Sequence, residues 1–271
     1  FSGTNDNYRI LPLQVRQYFA SKEKDSDPML INLDGTNGRM LAMMIEHTVA
    51  VRQLDATIKS SLSLINLLKE GTTMHAIIDC GALLAGVDLY ELSKRILSFL
   101  PEEDFGGVLF YDSVNSNDWF VLERSGRVLR KGISPIKEDN VFAIFDEPRC
   151  RGTDLKLRSE TVALLTLAPK LCKDKLMQAA GRLRKLGRSQ KLVIAGRPDV
   201  FSKMQGNIAR EKSPTILSNG QNNCFDASVL QVLAWAMKNT VHETAVGLLN
   251  WSNQCLFFAS TFDKNPKLCI T

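Results

Sequence analysis

Gln178, Gly181, Arg182, Arg184 and Lys185 fall in one short stretch, LMQAAGRLRKLGR, and Arg151-Gly152-Thr153-Asp154 lies upstream of it behind an apolar run. Arginine offers a planar fork of donors that matches a phosphate or a carboxylate, and lysine a compact point charge, so this set is equipped to hold an anion. Glycine at position 181 permits close approach of a backbone or a phosphate. On a helix spanning Lys173 to Lys185, Gln178, Arg182 and Lys185 share one face, while Leu176, Ala179, Leu183 and Leu186 supply the apolar face. A charged stripe opposite an apolar one is what any surface helix carries, so periodicity alone does not make a site. Cys150 is the thiol best placed for nucleophilic chemistry, because Arg149 and Arg151 beside it would lower its pKa. Such a thiol also needs a base, and only His47 and His75 precede it in the sheet-forming region. Asp146-Glu147 has the composition of a magnesium-holding pair, but it runs directly into the Arg-Gly turn and is not assigned as one.

These residues need elements to position them. Met29–Leu33 reads as a strand closed by the turn Asp34–Gly38. Helical spacing then runs from Arg39 to Lys69, with Leu41, Met44, Ile45 and Thr48 on one face and Leu54, Ile58, Leu62 and Ile65 continuing it, as one long helix or two in succession ended by Gly71. Strand and helix alternate from there. Met74–Asp79 is a strand, Asp88 caps a helix to about Leu100, and Pro101 blocks its continuation. Gly107–Tyr111 is a strand, and Asp118–Glu123 with Arg127–Arg130 form a hairpin turning at Ser125-Gly126. Val141–Phe145, Thr161–Leu167 and Lys191–Ala195 are further strands, with the basic helix before the last. Several fully apolar strands in this alternation predict a three-layer, mainly parallel α/β sheet over residues 1–205. Residues 206–223 read as a polar linker, and 224–271 as a helical extension in which Asp226–Lys238 and Glu243–Ser260 form a helical hairpin.

Composition narrows the function. The 271 residues carry a net charge of +5, yet between Arg149 and Lys191 there are 12 Lys/Arg against 3 Asp/Glu, leaving the rest of the chain slightly acidic. Positive charge concentrated in this way suits phosphates, nucleic acid or an acidic protein. No apolar run approaches the roughly 20 residues that cross a bilayer, so no membrane partner is expected. The six cysteines are scattered without a CxxC pair, and with three histidines no zinc spacing appears; reduced thiols fit a cytoplasmic or nuclear protein. The chain starts without Met or a signal sequence and reads as part of something longer. It also contains no Gly-x4-Gly-Lys-[Ser/Thr] phosphate loop, so on its own it is at most one wall of a nucleotide cleft.

The Gln-x-x-Gly-Arg segment at 178–182 resembles the last motif of superfamily-two helicases, whose arginines reach the terminal phosphate of a nucleotide. Lys185 stands where that family has its second arginine, which makes a poorer bidentate clamp. Arg151–Asp154 resembles the preceding motif, which couples the nucleotide site to nucleic acid. With one strand between them, the two imply the second RecA-like (P-loop NTPase-type) half of a helicase. Five blocks carry a wider resemblance, to very large eukaryotic proteins identified as ubiquitinyl hydrolases with helicase-like domains: FSGTND at the start, IDCGALLAG at 78–86, GVLFYD at 107–112, RGTDLKL at 151–157 and KDKLMQAAGRLRKLG at 173–187. The family label, thiol-dependent deubiquitination, belongs to the whole parent protein. What the resemblance implies for this segment is half of an ATP site. Arg182 would contact the terminal phosphate, Arg184 or Lys185 would assist, Gln178 would position them, and Arg151, Gly152, Thr153 and Asp154 would line the cleft. ATP and magnesium would bind only with the N-terminal RecA-like half, and ubiquitin or nucleic acid are the further partners implied. The alternative is a RecA-like scaffold without hydrolysis that binds a partner through its basic helix. A cysteine peptidase acting through Cys150 is the third class.

Overall fold

All five residues of Val141-Phe-Ala-Ile-Phe145 are buried, and a strand apolar on both faces needs a helical layer on each side of its sheet. The computed structural model describes residues 36–71, 73–208 and 228–264. In chain order the elements are α1 (Thr36–His47), β1 (Thr48–Gln53), α2 (Ser60–Lys69), β2 (Ala76–Ile78), α3 (Leu89–Leu97), β3 (Gly107–Asp112), β4 (Asp118–Glu123), β5 (Val128–Arg130), β6 (Val141–Phe145), β7 (Val162–Leu167), α4 (Lys173–Ala180), β8 (Lys191–Gly196), α5 (Pro198–Ile208) and α6 (Val229–Lys264). The strands form one eight-stranded sheet in the order β1-β8-β7-β2-β6-β3-β4-β5. Pairing is parallel from β1 through β3 and antiparallel for β3–β4 and β4–β5. The chain is thus α/β with a mostly parallel sheet and a C-terminal helix, as the alternation predicts.

Side-chain alternation divides the core in two. Val141, Ala143 and Phe145 of β6 and Ala163, Leu165 and Leu167 of β7 face one cluster, shared with Met44 of α1, Leu176 of α4, Phe201 of α5 and Trp235 of α6. Phe142, Ile144 and Leu164 face the other, shared with Leu64 and Leu68 of α2 and Leu92 and Ile96 of α3. Asp88 caps α3 as expected, accepting from the backbone N–H of Tyr90 at 2.9 Å and Glu91 at 3.3 Å.

Three expectations need correcting. The helical reading of 39–69 conceals β1: Thr48-Val-Ala-Val51 is rich in β-branched residues, which pack better on a pleated surface than around a helix, and β1 pairs with β8 at the sheet edge. The basic helix stops at Ala180 rather than Lys185. The helical hairpin is instead one continuous 36-residue helix, α6. The expected strand at Met29–Leu33 and most of the linker lie outside the described residues, and α5 runs past the expected boundary at 205.

Candidate functional site

In open parallel sheets, ligands bind beyond the carboxyl ends of the strands. β6 ends there in a short 3-10 turn, Glu147–Cys150, with Pro148 near its start. The next turn needs a left-handed residue, supplied by Gly152 at φ 73°. The chain then returns to start β7, passing Thr153 and Asp154 against the turns that follow α4.

Past Ala180, the backbone N–H groups of Arg182 and Leu183 bond to Ala179 O and Ala180 O, three residues back, which tightens the chain into turns. Buried Gln190 holds these turns: its Oε1 accepts from Lys185 N at 2.8 Å, and its Nε2 donates to Arg158 O at 2.9 Å. Gln178, Arg182 and Lys185 therefore do not share a helix face. Gly181 is approached by Met177 O and the Met40 side chain of α1 instead of opening towards a ligand.

Two residues of each motif do meet. Arg182 donates through Nε to Gln178 O at 3.2 Å and through Nη1 to Thr153 O. Arg184 Nε bonds Asp154 Oδ1 at 2.9 Å, and this bond holds the Asp154 carboxyl below its ordinary range. Burial lowers the pKa of Arg182, with Arg184 adding to the effect. Arg151 turns away and pairs with Glu147 at 3.0 Å. Lys185 is exposed and lines a shallow depression of about 500 Å³ at the other end of the sheet, beside Asn140 and Ser159, the residues that lead into β6 and β7. The structure therefore joins Arg182 and Arg184 to Thr153 and Asp154, and leaves Arg151 and Lys185 at separate places.

Cys150 needs the opposite reading from the one its neighbours suggest. Its side chain is buried, with Sγ 3.9 Å from Phe145 O, and burial raises its pKa far above an ordinary thiol, with Cys80 and Asp79 pushing the same way. Arg149 does not activate it: the guanidinium lies 3.5 Å from the Tyr111 ring centroid and pairs with Asp146 at 3.1 Å. His75 precedes β2, at the opposite end of the sheet, and its Nδ1 accepts from Val162 N at 3.1 Å. His47 closes α1. No Cys/His pair forms at Cys150. Cys80 is likewise buried, and its thiol is pushed up to about 12. In the native chain, Cys80 and Cys150 are expected to stay unmodified by iodoacetamide at neutral pH until denaturant is added, as read by peptide mapping. Rapid native labelling of Cys150 would restore the nucleophile reading.

A cleft of about 950 Å³ opens between the carboxyl ends of β2, β3 and β6. Asp79, Asp112 and Asp146 close those three strands, and Phe110 and Tyr111 line one wall. Asp79 accepts from Thr166 Oγ1 at 2.6 Å and from the N–H groups of Leu83 and Leu84 at 2.9 and 2.7 Å; burial raises its pKa despite these bonds. Asp146 is raised by burial too, with Arg149 opposing, and its Oδ1 is buried without a hydrogen-bond partner. The sequence carries a signal for this cleft, an aspartate at the end of each of three apolar runs (AIID, LFYD, AIFD). Its lining sets Asp79, Asp88, Asp112, Asp146 and Glu147 against Arg149, an excess of acid that does not favour phosphates. Among the described residues no group of three His, Cys, Asp or Glu is arranged to hold a metal ion. No helix among them is long and apolar enough to cross a membrane. No protein-family model, curated protein or solved structure matches the chain.

Proposed function

We propose that this chain is the second, RecA-like half of a helicase-type module within a protein of the ubiquitinyl hydrolase class, completing an ATP site when its first half docks. The observation that carries this reading is the grip of Arg182 and Arg184 on Thr153 and Asp154. It ties the Gln-x-x-Gly-Arg segment to the Arg-Gly-Thr-Asp loop, the coupling that a nucleotide-responsive half-domain needs. Among the described residues no cluster of three ligating side chains is present, and the metal and the phosphate loop would come from the first half. With Cys80 and Cys150 buried, the thiol chemistry of deubiquitination is assigned to other parts of the parent, and this chain contributes positioning of ubiquitin or of a nucleic-acid partner. Its free thiols suit the cytoplasm or nucleus. The test is nucleotide turnover by the parent protein. Arg182→Ala is expected to lower kcat at least about tenfold, the scale of losing one charged transition-state contact. Unchanged turnover with a lowered Tm overturns the phosphate role.

That second outcome would favour a scaffold without hydrolysis. One observation supports it: Nε and Nη1 of Arg182 are already spent on backbone carbonyls. On this reading exposed Arg184, Lys185 and Arg188 bind an acidic partner.

A further inference from the structure

Helix α6 is about 54 Å long at 1.5 Å per residue, yet its buried residues Val232, Leu233, Trp235 and Ala236 all lie in its first turns. A second apolar stripe runs the length of the helix, with Val246, Leu249, Leu256 and Phe257 also exposed outside it. Leu230, Ala234, Met237, Val241, Thr244, Leu248, Trp251, Cys255 and Phe258 follow one another at alternating steps of three and four residues, the spacing of coiled-coil seam positions sustained over four heptads. All but half-buried Thr244 are exposed, Trp251 at 66% and Phe258 at 65%. At 100° per residue the stripe is centred about 120° around the helix from the residues that dock on the sheet. Among the described residues nothing covers it beyond half-buried Thr244.

We propose that this seam pairs with the same seam of a second copy of the chain. Two features of the helix select that occupant. The positions flanking the seam beyond Leu233 are Lys238, Thr240, Ala245, Gly247, Ser252, Gln254, Ala259 and Thr261: one charge in the whole row. Flanking charges set partner choice in helix pairs, and a row with a single charge carries neither like-charge repulsion between identical copies nor a charge pattern that would select an unlike helix. The area is also sufficient. Trp251 and Phe258 at roughly 150–250 Å² each, with Leu230, Met237, Val241 and Leu248 adding roughly 60–120 Å² each, bury on the order of 1,200 Å² or more over two copies, the size of a specific interface.

Sedimentation equilibrium of the 271-residue chain between about 1 and 100 μM decides the matter. The expected result is a reversible dimer whose dissociation constant rises at least about a hundredfold in Leu248→Glu/Trp251→Glu, since buried unpaired carboxylates oppose pairing. Asn253→Glu/Ser260→Glu, on the opposite face, leaves it unchanged. Neither pair touches the sheet core, and buried Trp235 reports by its fluorescence that the domain is folded. A wild-type monomer throughout the range overturns the proposal. So does a dimer indifferent to the seam substitutions, and so does a monomer whose seam instead captures lipid vesicles or an added unlike helix.

Discussion

Trp235→Ala is expected to destabilise the domain by about 3–5 kcal/mol, the range for removing a buried aromatic side chain, whereas Trp251→Ala on the same helix changes it by less than about 0.5 kcal/mol. Trp235 is 4% exposed and belongs to the same cluster as Phe145 of β6 and Phe201 of α5. Trp251 is 66% exposed and touches none of that cluster. The loss at Trp235 propagates along α6. Thr240 Oγ1 accepts from Lys173 N at the start of α4 at 2.8 Å, and Asn239 Nδ2 donates to Leu171 O at 3.1 Å. Both bonds depend on α6 staying docked, so the start of α4 frays with it. Urea unfolding at about 1 μM, where pairing through the outer seam contributes least, separates the two substitutions by their midpoints. Equal effects would mean that α6 does not anchor through its first turns.

That contrast explains why the C-terminal region was misread from sequence. The apolar spacing that buries Val232, Leu233, Trp235 and Ala236 stops at Asn239-Thr240, while the exposed stripe runs on through Val241. The end of one stripe looks like a break between two helices. Here the helix is continuous and only the docked stripe ends. β1 was lost for a related reason: Val51 and Leu54 fit a helical continuation of α1, and only the parallel pairing of Thr48–Gln53 with β8, more than a hundred residues later, makes them a strand. Pairing over such separation leaves no local mark. β6, β7 and β8 were legible because strands covered on both faces are continuously apolar. In the site, the two motifs suggest one region, but the pairing of Arg182 with Thr153 and of Arg184 with Asp154 is not written in them, and the end of α4 at Ala180 and the removal of Lys185 to the far edge depend on Gln190, whose buried amide no motif singles out. Cys150 shows the limit of reasoning from neighbours. Two flanking arginines imply an activated thiol, yet those side chains are drawn to Tyr111, Asp146 and Glu147, and burial decides the thiol's state.

Arg124 carries the second large effect, although in Glu123-Arg-Ser-Gly126 it reads as a solvated turn residue. Its side chain is 26% exposed. Nε donates to Phe105 O at 2.8 Å, and Nη2 to Leu100 O at 2.9 Å and Pro101 O at 2.8 Å. Nη1 reaches Leu97 O at 3.5 Å. One guanidinium from the β4–β5 turn thus ties Leu97 O at the end of α3 to the carbonyls of Leu100, Pro101 and Phe105 in the loop that follows, and fixes the loop that places buried Phe105 against Phe142. Arg124→Ala strands several of these carbonyls at once and is expected to cost about 2–4 kcal/mol, with hydrogen bonds from charged donors at the upper end of the usual range. Arg124→Lys recovers less than half of this, because an ammonium on a flexible stem cannot fork across three carbonyls. The same loop is held from its other side by Arg158, whose Nη2 donates to Asp104 O at 2.6 Å and whose guanidinium lies 5.3 Å from the Phe105 ring. The two arginines therefore act on one segment. In a double-mutant cycle the combined loss from Arg124→Ala and Arg158→Ala falls short of the sum by at least about 0.5 kcal/mol, since the loop freed by the first change has less left to lose to the second. Additive losses, read from urea unfolding of the four proteins, would show that the two sides of the loop are held independently.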